Sequence, residues 1–136
     1  MLNKVVLLSR EEEEKRLLKR SRGFLETAEY QIGRGFYDLA AFSLEQALQL
    51  FLKARLLAEG VEYPRTHSVR ALLEILSEVV AEDKKAVIRG VLEKHLMELS
   101  VLEDAYITSR YVMRDFSLQE AEKLLKAVKE IMKDVA

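Results

Sequence analysis

Apolar residues recur at helical spacing along nearly the whole chain. Ser9 followed by Glu12 has the form of a capping box, which predicts a helix from Ser9 to near Gly33. Its inner stripe is Leu17, Ser21, Phe24, Leu25, Ala28 and Ile32, and Glu11–Lys15 and Glu12–Arg16 are i,i+4 pairs on the outer face. A second helix is predicted from Phe36 to Glu59, ending at Gly60. It is apolar on more than one face (Phe36, Tyr37, Leu39, Phe42, Leu44, Leu48, Leu50, Phe51, Leu52, Leu56, Leu57), which places it centrally in a bundle, in a subunit interface, or both.

After a connection through Pro64, Thr66 or Ser68 caps a third helix with Val69, Leu72, Leu73, Leu76 and Val80 facing inward. A fourth runs from Asp83 to about Tyr106 or beyond, with Val87, Ile88, Val91, Leu92, Leu96, Leu99 and Leu102 apolar. Residues Ser109 to Phe116 read as a break. Ser117 and Glu120 form another capping box, opening a last helix through Ala121, Leu124, Leu125, Val128 and Ile131 to about Asp134. No strand pattern, repeat or interdomain linker interrupts the series. The expected fold is all-α, one domain over residues 1–136, with 1–8 as an N-terminal extension.

Composition narrows the chemistry. The 136 residues carry 22 Lys/Arg against 23 Asp/Glu, for a net charge of -1, so no large basic excess marks a general nucleic-acid binder. With no Cys there are no thiolate metal sites, cysteine nucleophiles or disulfides, and two His are too few for a protein-only zinc site. No metal site and no cofactor is expected. The short apolar run near Met1 has the form of neither a signal peptide nor a membrane span, so a cytoplasmic location is the default expectation. Few Asn and Gln beside many Lys, Arg and Glu lean toward a thermophilic source.

No Ser/His/Asp set and no glycine-rich phosphate loop can be placed. The run Glu11 to Glu14 reads as a solvated first turn favoured by the helix dipole. His67, at a helix start beside Arg65 and Arg70, can bind an anion there, with packing and capping the favoured alternative. His95 falls at core spacing with Ile88, Val91, Leu92 and Leu99 and reads as a core-edge histidine. The densest polar and aromatic cluster is Glu103 to Tyr111. Arg110 offers a charged fork for phosphate, and Tyr106 and Tyr111 offer stacking faces. An Asp104–Arg110 bridge tying down a turn is the alternative there, and both stand open.

The ordered set Ala41-Phe42, Glu45-Gln46-Ala47, Lys53-Ala54, Gly60, Thr66-His67, Leu72-Leu73, Asp104-x-Tyr106 and Ser109-Arg110-Tyr111 resembles the HEPN domain (higher eukaryotes and prokaryotes nucleotide-binding). The resemblance covers residues 12 to 134. It implies an antiparallel up-and-down four-helix bundle with one extra short helix, about five helices in all, often paired as a homodimer. It also implies work beside a small nucleotidyltransferase in a toxin–antitoxin-like pair, or binding of a nucleotide or RNA. Some members are metal-independent ribonucleases with an Arg-x(4–6)-His motif near the dimer cleft, His moving a proton and Arg steadying phosphate charge.

The chain departs from that catalytic pattern. Arg110 is followed at 115 to 117 by Asp115, Phe116 and Ser117, without a His. Arg89 and His95 match the bare spacing, but such a separation leaves side chains roughly 120° apart around a helix. The Glu-Lys that often follows Gln-Ala is replaced by Gln49 and Leu50. The expectation is therefore a binding module with no catalytic residues. Arg110 and Tyr111 form its contact pair, with Tyr106, Asp104, Lys53 and His67 as further candidates. A ribonuclease or a purely structural dimerisation protein are the alternatives. Lys15, Arg16, Lys19, Arg20 and Arg22 are expected to pair locally with neighbouring acids.

Overall fold

The computed structural model describes the backbone of residues 2–111 and 115–136, and the side chains of 9–107 and 115–136. Six helices lie among the described residues: α1 (Leu2–Gly33), α2 (Tyr37–Ala58), α3 (Val69–Val79), α4 (Glu82–Lys94), α5 (Leu96–Tyr111) and α6 (Leu118–Val135). No strand occurs among them. Among the described residues, no helix is long and apolar enough to cross a membrane.

Four cross-links set the directions of the long helices. The Ser21 hydroxyl donates to the Ala47 carbonyl at 2.7 Å and the Ser43 hydroxyl to Gln31 Oε1 at 2.7 Å, so α1 and α2 are antiparallel. Tyr106, late in α5, lies beside Phe42, early in α2, which makes α5 antiparallel to α2 as well. Arg55 Nε donates to the Val135 carbonyl at 2.7 Å, so α6 runs alongside α2 in the same direction. The frame is thus an up-and-down bundle of α1, α2, α5 and α6. The excursion between α2 and α5 holds two short helices, α3 and α4, where the resemblance implies one.

α2 sits centrally, touching α1, α3, α5 and α6. Leu44, Leu48, Leu52 and Leu56 form a fully buried row at i,i+4 spacing that packs with Leu72, Leu73, Leu76, Leu99, Leu102 and Ile131. A smaller apolar cluster, Leu17, Leu50, Ala54 and Leu57, fills the seam between α1 and α2. Gly35 (φ 81°) and Gly60 (φ 79°) occupy the left-handed conformation that closes α1 and α2, and Val61 N–H returns to the Leu56 carbonyl at 3.0 Å.

The boundaries differ from expectation in four places. α1 starts at Leu2, so Ser9 and Glu12 lie inside it; no Gly or Pro in 2–8 interrupts a helix-compatible run, and a capping signature does not itself stop a helix. The fourth predicted helix is two, α4 and α5, separated by a turn at His95 (φ -109°, ψ 23°). The buried series Ile88, Val91, His95, Leu99 and Leu102 keeps helical spacing across the turn, so periodicity alone runs straight through it. α5 continues to Tyr111, which puts the Glu103–Tyr111 cluster on a helix rather than in a break. α4 opens at Glu82 behind Ala81, one residue before Asp83. The Ser117–Glu120 capping box forms as expected, and Ser68 caps α3.

Candidate functional site

The segment between Gly60 and α3 returns the chain to the α5 side of α2, where the rings meet. Tyr106 is buried and stacks with His67, ring centroids 4.3 Å apart and planes inclined by 20°. Its second ring neighbour is Phe42 of α2, at 6.2 Å and also 20°. His67 itself is exposed, so the sandwich ends in an imidazole at the surface. A groove of about 240 Å³ opens beside it, lined by His67, Ser68, Glu103, Tyr106 and Ile107.

Local chemistry fixes His67 there. Ser68 is the N-cap of α3, accepting from the Ala71 amide at 3.1 Å, while its own hydroxyl donates to Glu103 Oε1 at 2.7 Å. The Arg70 amide donates to the same oxygen at 3.1 Å, and the Arg70 guanidinium to Glu103 Oε2 at 3.2 and 2.8 Å. Burial alone would raise the Glu103 carboxyl, but the bonds from Arg70 and Ser68 outweigh it and hold the group below the usual carboxylate range. Its oxygens are occupied by these donors.

A second polar array runs along α2. Glu45 is fully buried and accepts from Gln46 Nε2 at 2.7 Å and from Gln49 Nε2 at 3.2 and 2.8 Å. Burial pushes its carboxyl up to about 7, against the opposing pull of Gln49, Gln46 and Lys53. Lys53 Nζ donates to Gln49 Oε1 at 3.0 Å and stands 5.3 Å from the Tyr63 ring centroid. Burial holds this ammonium below its ordinary value, with Glu45 opposing. The Tyr63 hydroxyl in turn donates to Glu13 of α1, and that bond, with burial, pushes the phenol up to about 12.

Of the six candidate residues, the structure brings His67 and Tyr106 together, with Asp104 exposed on the same stretch of α5. Lys53 belongs to the α2 array instead, because its ammonium is engaged by Gln49 and Tyr63. The side chains of Arg110 and Tyr111 lie outside the described residues, as does any Asp104–Arg110 bridge. Arg89 is exposed on α4 whereas His95 is 4% exposed at the turn after it, so that pair does not converge. His95 Nε2 is 3.6 Å from Glu130 Oε2, beyond hydrogen-bond reach, and has no hydrogen-bond partner. Among the described residues no group of three or more His, Asp or Glu is placed to hold a metal ion.

Sequence reasoning missed the Arg70–Glu103 tie and the burial of Glu45. The first joins residues remote in sequence and leaves no local signal. The second has one: a carboxylate set between Leu44 and Leu48 on a helix apolar on several faces has little chance of reaching water.

Comparison with known proteins gives a consistent picture. The crystal structure of TT1696 from Thermus thermophilus is similar, with a TM-score of 0.69 and 28% sequence identity over 90% of this chain and 94% of that one. No curated protein matches significantly. The model of the HEPN domain matches residues 14–136. With that match spanning nearly the whole helical frame, the chain belongs to the HEPN domain family.

Proposed function

We propose that this protein is a nucleotide-binding module whose site is the ring sandwich at the α3 start, with the base stacking on His67 above Tyr106. The observation that carries this reading is the 4.3 Å, near-parallel stacking of an exposed imidazole on Tyr106 at the edge of a groove. A π-face backed by a second ring is a low-entropy platform for a base. Arg110 and Tyr111 follow Tyr106 on α5, about one helical turn further on, and complete the proposed contact set as phosphate fork and second ring. Asp104 borders it.

Calorimetric titration with purine and pyrimidine nucleotides tests the proposal on wild type, His67→Ala and Arg110→Ala. Saturable binding weakened about tenfold or more by either change supports it. Binding untouched by both moves the site elsewhere, and no binding by wild type removes it.

A protein-partner reading is favoured by a separate observation. Tyr30, Phe36, Leu39 and Leu118 are exposed apolar residues near the α1–α2 turn and the start of α6. Such a patch suits self-association, or docking of a nucleotidyltransferase in a toxin–antitoxin-like pair. Sedimentation of wild type against Leu39→Glu distinguishes a homodimer through this end from a monomer.

A further inference from the structure

α1 presents water with a face unlike any other among the described residues. Lys15, Arg16, Lys19, Arg20 and Arg22 are all exposed, and the expected local pairing does not form: among the described residues none of the five makes an ion pair. Glu13, a half-buried acid on the preceding turn, is taken by Tyr63. No Asp or Glu interrupts residues 15 to 22, a rise of about 10 Å. Lys15, Lys19 and Arg22 fall within about 60° of one another around the axis, with Arg16 and Arg20 in the adjoining row. The buried residues Leu17, Ser21 and Ala28 hold the opposite side against α2. α6 also carries exposed lysines, but Glu122, Glu130 and Asp134 alternate with them.

We infer that this face of α1 is a docking surface for the phosphodiester backbone of a nucleic-acid strand, separate from the ring sandwich and not dependent on it. The composition of the face selects that partner. A protein interface of useful affinity needs a buried apolar centre, and a membrane-lying helix needs large apolar side chains beside its cations. Here the only exposed large hydrophobic on α1 among the described residues is Tyr30, near the other end of the helix. Dense cations with no exposed large hydrophobic beside them among the described residues match a surface that binds through counterion release. Glu11 and Glu12 on one side and Glu26 and Glu29 on the other bound the surface, so it takes only a few consecutive phosphates.

The test is fluorescence anisotropy with labelled single-stranded RNA and DNA of about 16 nucleotides, across roughly 50 to 200 mM salt. The full chain is compared with the triple variant Lys15→Gln, Lys19→Gln, Arg22→Gln. A control variant, Lys123→Gln, Lys126→Gln, Lys133→Gln, changes net charge by the same amount on α6. The expected result is binding of both strands by wild type, an affinity loss of about tenfold or more in the α1 variant, and a salt slope reduced by about 2, or about 0.7 for each cation removed. The α6 variant should bind as wild type does. Equal losses in the two variants, no binding of either strand by wild type, or capture by phosphatidylserine vesicles in preference to the strands would each overturn the inference. His67→Ala should leave the α1 contribution intact, so this surface and the nucleotide site can fail separately.

Discussion

Arg70 and Glu103 meet across 33 residues of chain, with guanidinium Nε and Nη2 both directed at one carboxylate oxygen, at 3.2 and 2.8 Å. The contact fastens the first turn of α3 to the third turn of α5. Ser68 joins it from the cap position, so the residue just before the cap, His67, is delivered over Tyr106. The ring sandwich is therefore held in place by a charge-assisted tie next to it, not by the rings alone.

Removing the carboxylate should loosen this corner. Glu103→Ala strands the Ser68 hydroxyl and the Arg70 amide and guanidinium, and an equilibrium loss of about 2 kcal/mol is expected in urea unfolding. The folded carboxyl lies below its ordinary value of 4.5, so its contribution is present above that pH and is lost as pH falls through the folded value. The acid limb of the wild-type stability curve should accordingly be steeper than that of Glu103→Gln.

Glu45 acts in the opposite sense. Its folded carboxyl titrates near 7 against an ordinary 4.5, so the stabilising state is the protonated one, complete below 4.5 and lost as pH rises through 7. The full shift corresponds to roughly 3 kcal/mol. Glu45→Gln keeps the shape and removes the titration. Its melting temperature should exceed that of wild type by several degrees at about pH 8, with little difference near pH 5. A parallel pH dependence in the two proteins would show that Glu45 is not the group responsible.

At the α4–α5 turn, His95 places a ring nitrogen in the interior without a hydrogen bond. An unsatisfied buried donor or acceptor costs about 1–3 kcal/mol. His95→Leu, of similar bulk, should leave thermal stability unchanged or raise it. A marked loss would mean that the imidazole is held by the charge of Glu130, 3.6 Å away, or by an ordered water.

The leucine row of α2 gives the largest expected effects. Leu48→Ala should cost about 2–5 kcal/mol, since Leu48 is fully enclosed. Met97, 74% exposed at the start of α5, should tolerate Ala within about 0.5 kcal/mol.

What can be read beforehand follows from the range of each interaction. Helix identity is a local property, and the spacing of Leu44, Leu48, Leu52 and Leu56, the cap at Ser117 and the glycine at Gly60 each declare themselves within a few residues. The turn at His95 stays hidden because its flanking helices keep one common apolar phase. At the site, Tyr106 and His67 stand out as residue types, yet nothing in their neighbourhoods reveals that they stack, because the loop, α3 and α5 must all be docked first. Lys53, a candidate contact residue by sequence, is instead absorbed by Gln49, one turn back on its own helix.

The central place of α2 also orders assembly. Its contact with α1 requires closing only the short turn through Arg34 and Gly35, whereas its contact with α6 brings Arg55 to Val135 across 80 residues. Loop-closure entropy rises with separation, so the α1–α2 hairpin is the inexpensive first contact and α6 the last wall to seat. Until α6 arrives, one flank of α2 is an open apolar trough. Substitutions along Leu124, Val128 and Ile131 should therefore appear in the unfolding rate more than in the folding rate.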